Sequence, residues 1–263
     1  MVICTRTASV KDWMKEAKAI SKWLRDYCDK NGITSLVLGV SGGIDSAVCA
    51  SICAMTGLKC IFLSMPTSSH KGSTKRAAEL AVHLDKHVIL RPIGEIIQSY
   101  EENLIATTPF RRGNLAARIR ANILYDYASA NNGIVVGTDN YDEHMLGYFT
   151  KGGDGLADIF PIATYHKSGV REIAKACNIP ESILNAEPSA ELVEGQTDES
   201  DLGMTYDEVE WALDLPPLIS GIFSEKQKSI LSQVDIRIVN SRHKRNDAPC
   251  FFNCGRSPVL YTE

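Results

Sequence analysis

The chain has 263 residues, a formal net charge of −4 and 44% apolar residues. This length allows one large domain with a substantial core, and the charge gives no general attraction to nucleic acid. No apolar run reaches the length of a membrane span, and the N-terminus lacks the apolar core and cleavage site of a signal peptide. We therefore predict a single domain over residues 1–263, located in the cytoplasm, with neither nucleic acid nor membrane as a partner.

The eight cysteines show no spacing typical of a disulfide framework. Cys49, Cys53 and Cys60 stand in apolar surroundings, where a free thiol packs as a small hydrophobic side chain. Cys250 and Cys254 are close enough in sequence to be two zinc ligands, but neither a second cysteine pair nor a set of histidines completes a zinc site. We expect reduced, structural cysteines and no metal bound through sulfur.

Apolar periodicity predicts helices that alternate with short apolar strands. The predicted strands cover residues 35–40, 59–65, 87–93 and 133–138. The predicted helices are an opening helix that ends at 31–32, then 45–56, 71–84, 94–105, 114–130, 167–177, 206–213 and 224–241. This alternation predicts a single α/β domain with a parallel sheet and helices on both faces. Ligands of such sheets bind beyond the carboxyl ends of the strands.

The segment after the first strand predicts an anion site. The strand runs into Ser41, Gly42 and Gly43, and a helix begins near Asp45. The first N–H groups of a helix have no intrahelical partner, and the helix dipole adds partial positive charge there. The two glycines allow a phosphate to approach the backbone closely. Because no lysine follows them, the loop is not a Walker A motif.

Asp45 indicates a divalent cation at this loop, because its carboxylate would otherwise repel a phosphate. Mg²⁺ binds through one or two carboxylates together with phosphate oxygens. Glu143, shortly after the fourth predicted strand, is a candidate for the second carboxylate. The alternatives are an ordinary strand-to-helix turn with Asp45 as a helix-start residue, and a solvated helix-start acid at Glu143.

Two further stretches carry polar chemistry. Lys151 lies beside Gly152 and Gly153, a setting that suits an anionic ligand. Residues 187–203 are rich in acids and have little periodicity, which predicts a mobile acidic loop and a candidate lid.

The motif Ser-Gly-Gly-Ile-Asp-Ser at 41–46 resembles the pyrophosphate loop of the N-type ATP pyrophosphatases. Four later motifs select one member of that group. They are the run from Gly137 to Asp158 with Gly-Thr, Glu143 and Phe-Thr-Lys-Gly-Gly-Asp-Gly, the Gly-Asn-Leu-Ala-Ala-Arg-Ile-Arg run at 113–120, Pro-Ser-Ala-Glu-Leu at 188–192, and His-Lys-Arg at 243–245. From about residue 10 to 250 the chain resembles the NAD synthetase family.

The resemblance implies an adenine-nucleotide alpha-hydrolase-like fold and ATP-dependent amidation of deamido-NAD (nicotinic acid adenine dinucleotide) to NAD. The reaction would pass through an adenylated intermediate and release AMP and pyrophosphate, with Mg²⁺ as cofactor and ammonia as nitrogen donor. Glutamine-using members carry an added amidase domain, for which this chain is too short, so we expect free ammonia. A separate glutaminase subunit stays open. The family's homodimer is also expected.

The resemblance assigns roles residue by residue. ATP would contact Gly39, Val40, Ser41, Gly42, Gly43, Ile44, Asp45, Ser46, Thr138, Lys167 and Ser189, the last replacing a threonine of some members. Deamido-NAD would contact Arg118, Lys151, Asp158, His243 and Lys244. Asp45 and Glu143 would bind Mg²⁺, and Asp45 and Lys167 would be catalytic. Residues 66–72 lack the aromatic and acidic residues that many members carry there.

Simpler explanations exist for three of these residues. Arg118 has the features of a solvated helix arginine. Lys167 is a helix-start lysine, which opposes the dipole and which an anionic ligand would explain. The cluster around His243 is compatible with a basic helix end.

Two other functions stay open for the chain as a whole. A tRNA-thiolating enzyme would predict a basic surface and catalytic cysteines, which the net charge and the unpatterned cysteines oppose. A non-catalytic adenine-nucleotide sensor would keep the loop but would need neither Glu143 nor the substrate-side residues.

Overall fold

The computed structural model describes residues 12–67, 71–104, 108–187, 197–216 and 223–247. Its strands are β1 (Ser35–Gly39), β2 (Lys59–Ser64), β3 (Val88–Leu90) and β4 (Gly133–Val135). They form one four-stranded parallel sheet in the order β3-β2-β1-β4. The predicted α/β fold with a parallel sheet is therefore confirmed.

The helices follow the strands in the predicted alternation. They are α1 (Trp13–Lys30), α2 (Ile44–Met55), α3 (Lys71–His83), α4 (Gly94–Glu101), α5 (Pro109–Ala130), α6 (Tyr141–Leu146), α7 (Lys167–Ala176), α8 (Glu181–Leu184), α9 (Asp198–Leu202), α10 (Tyr206–Leu213), α11 (Glu225–Asn240) and α12 (Arg242–Arg245). In the described residues no helix is both long enough and apolar enough to cross a membrane.

The central strand β1 is buried on both faces of the sheet. Leu36 and Leu38 contribute to one hydrophobic cluster, and Val37 contributes to another. This split follows from the alternation of side chains along a strand. Helices α1, α2, α3 and α7 supply the first cluster, while α4 and α5 supply the second. The sheet is therefore covered on both sides, which explains why its strands are continuous apolar runs.

A third cluster lies apart from the sheet. It joins α6, α9, α10 and α11 through buried residues such as Leu146, Leu202, Val209 and Val234. These helices stand beside the carboxyl ends of β1 and β4, because α6 follows β4 closely. The cluster holds the elements that close one side of the cleft described below.

Several predicted boundaries were wrong. The predicted strand 87–93 shortens to β3, the predicted strand 133–138 shortens to β4, and α5 begins at Pro109, with Thr108 as its N-cap. The stretch 187–203 is not all loop, since its last third forms α9, which begins with a capping box between Thr197 and Ser200. Residues 188–196 of that stretch lie outside the described residues.

The cysteines follow the prediction where the structure describes them. Cys28, Cys49, Cys53, Cys60 and Cys177 are free thiols, and all but Cys60 are buried. Burial raises the pKa of Cys49 and of Cys53 well above the ordinary thiol value. These two thiols therefore stay protonated and act as packing residues.

The strand order creates a switch point in the sheet. The chain leaves β1 toward β2 on one side, while β4 pairs with β1 on the other side. The loops after β1 and β4 therefore diverge at the same edge, and a crevice opens between them. Both segments that the sequence marked as functional, 39–46 and 137–158, begin at this edge.

Candidate active site

The loop after β1 is preorganised as an anion cradle. Ser46 Oγ donates to the Gly43 carbonyl at 2.9 Å, and Gly43 N donates to Ser41 Oγ at 3.1 Å. Gly42 has a φ of +86°, and a Cβ at this position would collide with the Ser73 carbonyl. The N-terminus of α2 has no side-chain cap, so its first N–H groups face the cleft without an internal acceptor. This arrangement suits a phosphate.

Lys167 is the charged centre of the site. It is 1% exposed, and its Nζ donates to Asp45 Oδ2 at 2.6 Å and to Glu143 Oε1 at 3.2 Å. Burial opposes the charge on Lys167, but Asp45 and Glu143 outweigh it and raise its pKa. The sequence suggested an anionic ligand at this helix-start lysine, whereas the anions that contact it in the structure are two carboxylates of the protein.

Glu143 is held in place by the first turn of α6. Asn140 caps this helix in a capping box with Glu143, and Asn140 Nδ2 also donates to Asp45 Oδ1 at 3.1 Å. Glu143 is a helix-start acid, as the simpler alternative had it, but its side chain is only 15% exposed. Burial raises the pKa of Glu143 to about 7, against the opposing effect of Lys167. A cation bound beside this carboxyl would favour its ionised form.

Two residues that the sequence analysis did not select complete this acidic side. Tyr206 is fully buried, and its hydroxyl lies 3.2 Å from Glu143 Oε1 and 3.0 Å from Asp198 Oδ2. The Lys167 ammonium lies 4.9 Å from the centre of the Tyr206 ring. Asp198 stood inside the stretch predicted as a loop, so its only signal was its charge.

Asp139 is a further residue that sequence reasoning missed. It follows Thr138 directly, is 5% exposed, and its Oδ2 has no hydrogen-bond partner among the described residues. Burial raises the pKa of Asp139 well above its usual range, and the nearby Asp154, Glu143 and Asp45 add to this effect. An unsatisfied buried carboxylate oxygen is costly, so this wall of the cleft favours a cation or a proton.

A second wall of the cleft is basic. Arg118 Nε donates to the Lys151 carbonyl at 3.3 Å, and Lys151 Nζ donates to the His243 carbonyl at 2.5 Å. Lys244 Nζ donates to the carbonyls of Gly147 and Phe149, at 2.7 Å each. The structure thus brings together four of the five residues assigned to deamido-NAD, and all four line the cleft.

The fifth of these residues has a different setting. Asp158 Oδ2 accepts from Val135 N at 2.7 Å, and its Oδ1 accepts from the Tyr125 hydroxyl at 3.3 Å. Asp158 is not among the residues that line the cleft, so these contacts attach the chain to the end of β4. Ser189, which was assigned to ATP, lies outside the described residues.

The two walls enclose one large cleft. Its volume is about 1170 Å³, and its lining includes the phosphate loop, Thr138, Lys167 and the basic wall. A cavity of this size exceeds the usual range for a drug-sized ligand. It has room for a nucleotide together with a second substrate.

The strand order, the glycine loop and this cleft define an α/β protein of the adenine-nucleotide alpha-hydrolase type. The chain belongs to the NAD synthase family, whose family model matches residues 16–248.

Individual relatives agree with this assignment. An NH(3)-dependent NAD(+) synthetase from Mycoplasma genitalium is 38% identical over 89% of this chain and 93% of the relative. Among solved structures, an NMN synthetase from Francisella tularensis aligns with a TM-score of 0.83 and 36% identity, covering 91% of this chain and 98% of the other. An NH3-dependent NAD synthetase from Campylobacter jejuni, solved with a nitrate ion, aligns with a TM-score of 0.76 and 26% identity, covering 92% and 100%.

Proposed function

We propose that this protein amidates the nicotinate carboxylate of deamido-NAD to form NAD, with ATP as co-substrate and ammonia as nitrogen donor. The observation that carries the proposal is the single cleft that joins a helix-start phosphate loop, the Asp45–Lys167–Glu143 cluster and a basic wall. Family membership supports the same reaction. The net reaction consumes ATP, ammonia and the carboxylate, and yields AMP, pyrophosphate and the amide.

The phosphate loop is the proposed ATP site. Its backbone N–H groups and the hydroxyls of Ser41 and Ser46 would bind the phosphates, while Thr138 approaches the nucleotide from the end of β4. The Lys167 ammonium lies 2.6 Å from Asp45 Oδ2 beside this loop, and it would stabilise negative charge that develops on the departing pyrophosphate. Ser189 keeps its predicted ATP contact as a proposal.

The carboxylates near the loop fit Mg²⁺. Asp45 and Glu143 offer hard oxygen ligands next to the phosphate site, and the Asp139 oxygen without a hydrogen-bond partner supports a cation in this part of the cleft. We propose Asp45 and Glu143 as the ligands. When bound, Mg²⁺ would neutralise phosphate charge. The residues themselves fix the carboxylate positions through Asn140 and Lys167.

The chemistry proceeds in two displacements. A carboxylate oxygen of the substrate attacks the α-phosphorus of ATP, and the bond to the pyrophosphate oxygen breaks. Ammonia then attacks the carbonyl carbon of the adenylate, the bond to AMP breaks, and one proton is released from nitrogen. Neither step needs a nucleophilic side chain, so positioning and electrostatic stabilisation account for catalysis.

The basic wall is the proposed site of the dinucleotide substrate. Arg118, Lys151, His243 and Lys244 would face its anionic groups, and the contact assigned to Asp158 is kept as a proposal although its carboxylate is engaged at β4. We also propose a homodimer in the cytoplasm, as the resemblance implies.

A second candidate substrate is the acid form of NMN. The solved structure that aligns at a TM-score of 0.83 is described as an NMN synthetase, and the same two displacements would act on a mononucleotide carboxylate. The phosphate loop and the carboxylates beside it serve both reactions equally. The basic wall therefore decides which acceptor substrate is preferred.

Product analysis tests the proposal and separates the two substrates. The purified protein is incubated with ATP, Mg²⁺ and ammonium, and either deamido-NAD or nicotinic acid mononucleotide is supplied. We expect NAD, AMP and pyrophosphate with the dinucleotide, and a lower kcat/KM with the mononucleotide. A higher kcat/KM with the mononucleotide would make the protein an NMN synthetase. Replacing ammonium by glutamine tests the nitrogen donor, and no ATP cleavage with either acceptor would contradict the proposal.

A further inference from the structure

The N-termini of two helices, α6 and α7, lie close together next to the phosphate loop. Both ends carry partial positive charge and would repel each other without compensation. Helix α6 places Asp142 and Glu143 in its first turn, while His166 and Lys167 stand at the start of α7. The pairs match in order, since Asp142 contacts His166 and Glu143 contacts Lys167. The two helix starts are therefore joined by two neighbouring carboxylate–base pairs.

The first N–H groups of α7 are capped by carboxylates from other helices. Lys167 N donates to Asp142 Oδ2 at 2.8 Å, and Ser168 N donates to Glu210 Oε1 at 2.8 Å. His166, the N-cap residue, makes no side-chain cap of its own. The backbone position of Lys167 is therefore set by Asp142 of α6 and Glu210 of α10.

The His166 ring is contacted by a carboxylate at each nitrogen. Nδ1 lies 2.5 Å from Asp142 Oδ1, and Nε2 lies 3.1 Å from Asp214 Oδ1. A neutral imidazole has only one N–H, so one of these contacts would place a nitrogen lone pair against a carboxylate oxygen. The doubly protonated ring donates to both. Asp142 is fully buried, so a positively charged partner offsets the free-energy cost of burying its carboxylate.

We propose that His166, held as an imidazolium between Asp142 and Asp214, is a positioning residue for Lys167. The imidazolium compensates the buried Asp142 carboxylate, Asp142 holds the Lys167 N–H, and the Lys167 ammonium is thereby kept between Asp45 and Glu143. His166 itself lies behind the cleft wall and would touch neither substrate. The role of Lys167 in this inference rests on the proposed function, whereas the charge state of His166 does not depend on that function.

The surroundings of His166 favour its charged form from two helices. Helix α6 presents Asp142 and, edge-on at 4.9 Å between ring centres, Tyr141. Helix α10 has Asp214 as its C-cap and presents Glu210, whose carboxylate lies within 4.8 Å of ligand-type atoms of Asp142 and His166. The neighbouring Lys167 ammonium opposes the charge but is directed toward Asp45. The hydrogen bond to Asp142 raises the pKa of His166 against the effect of burial.

These groups do not form an open metal site. Both oxygens of Asp142 are engaged by His166 and Lys167, and both oxygens of Glu210 accept from Ser168. A metal ion would have to displace this set of hydrogen bonds. We therefore assign the cluster to positioning.

Histidine-selective ¹⁵N NMR tests the charge state without reference to activity. In the intact protein, we expect both His166 nitrogens to stay protonated at pH values where free histidine in the same buffer is neutral. Asp214→Asn removes the negative charge beside Nε2, and since Asp214 is half exposed this change should leave the fold intact. We expect the His166 midpoint to move to lower pH in this variant. A neutral His166 in the wild type, or an unmoved midpoint, would overturn the proposal.

Kinetics then test the link to Lys167. His166→Asn keeps a donor for Asp142 but removes the charge, and we expect kcat to fall by about 10- to 100-fold, by analogy with the loss of a residue that orients a metal ligand. KM for ATP should change less. In Asp214→Asn, the pH at which kcat declines should follow the NMR midpoint. His87→Asn, at an exposed histidine outside the cleft, is the matched control. Wild-type kcat in a folded His166→Asn protein would refute the link even if the protein is an active synthetase. So would a pH profile of kcat that does not shift together with the NMR midpoint of His166 in Asp214→Asn.

Discussion

Replacing the buried lysine of the active site should destabilise the protein strongly. In Lys167→Met the side chain keeps most of its length but loses the ammonium that lies between Asp45 and Glu143. Breaking a buried ion pair on one side costs about 3–5 kcal/mol, because a charge is left buried without compensation. Glu143 can take up a proton, since its pKa is already raised to about 7. We therefore expect a loss at the lower end, about 3 kcal/mol.

The same helix offers a matched control. Lys175 pairs with Glu172 at 2.6 Å, the same distance as the pair between Lys167 and Asp45, but its side chain is 62% exposed. Exposed pairs of this kind contribute less than about 1 kcal/mol. Chemical denaturation of Lys167→Met and Lys175→Met at one pH gives the comparison. Equal losses of unfolding free energy in the two variants would refute the argument.

A second measurement separates burial from catalysis. Adding Asp45→Asn to Lys167→Met removes the stranded carboxylate, and we expect it to restore part of the lost stability. Activity should not return, because the ammonium that would stabilise the departing pyrophosphate is still missing and a proposed Mg²⁺ ligand has been removed as well. The activity loss expected for Lys167→Met is about 100- to 1000-fold, as for other preorganised electrostatic groups. Restored turnover in the double variant would contradict the role proposed for Lys167.

Three further outcomes are expected. Folding raises the pKa of Glu143 from 4.5 to about 7, so the folded protein holds this proton more tightly than the unfolded chain. The protonated carboxyl therefore contributes about 3 kcal/mol of stability below about pH 4.5, and this contribution is lost as the pH rises to about 7. Glu143→Gln should flatten this part of the pH–stability profile measured by denaturation. Gly42→Ala should weaken ATP binding by about tenfold or more in a titration, because of the positive φ and a collision with Ser73. Gly57→Ala, at a positive φ where a Cβ would meet only Arg25 Nη1 at 4.0 Å, should leave ATP affinity unchanged. Asp158→Asn should lower the thermal midpoint and leave KM for the acceptor substrate nearly unchanged, since the Asp158 carboxylate accepts from β4. A raised KM with an unchanged thermal midpoint would instead support a substrate contact at Asp158.

The phosphate loop could be predicted because its parts are neighbours in the chain. An apolar run, two glycines and a helix start follow one another from Leu36 to Val48, and local rules for strands, turns and helix termini were sufficient. The parallel sheet followed in the same way from the alternation of short apolar runs and helices. Its strand ends then placed 39–46 and 137–158 at one edge.

The contacts within the site could not be predicted so directly. Lys167 and Asp45 are separated by 122 positions, and nothing in their local sequence pairs them. The unfavourable lysine at a helix start was explained by an anionic ligand, whereas the partners that the structure shows are carboxylates of the protein. For Asp158 the resemblance implied a substrate contact, whereas in the structure its carboxylate accepts a hydrogen bond from Val135 N of β4. Helix α9 was not predicted because five residues are too few to show a helical period of apolar residues.

Isotope transfer tests the proposed reaction most directly. Deamido-NAD labelled with ¹⁸O in its nicotinate carboxylate is turned over with ATP, Mg²⁺ and ammonium, and AMP is analysed by mass spectrometry. If the carboxylate attacks the α-phosphorus, one carboxylate oxygen leaves with AMP, so AMP should carry one ¹⁸O for each NAD formed. Unlabelled AMP formed together with NAD would contradict the adenylated intermediate and the assignment of the phosphate loop to that step.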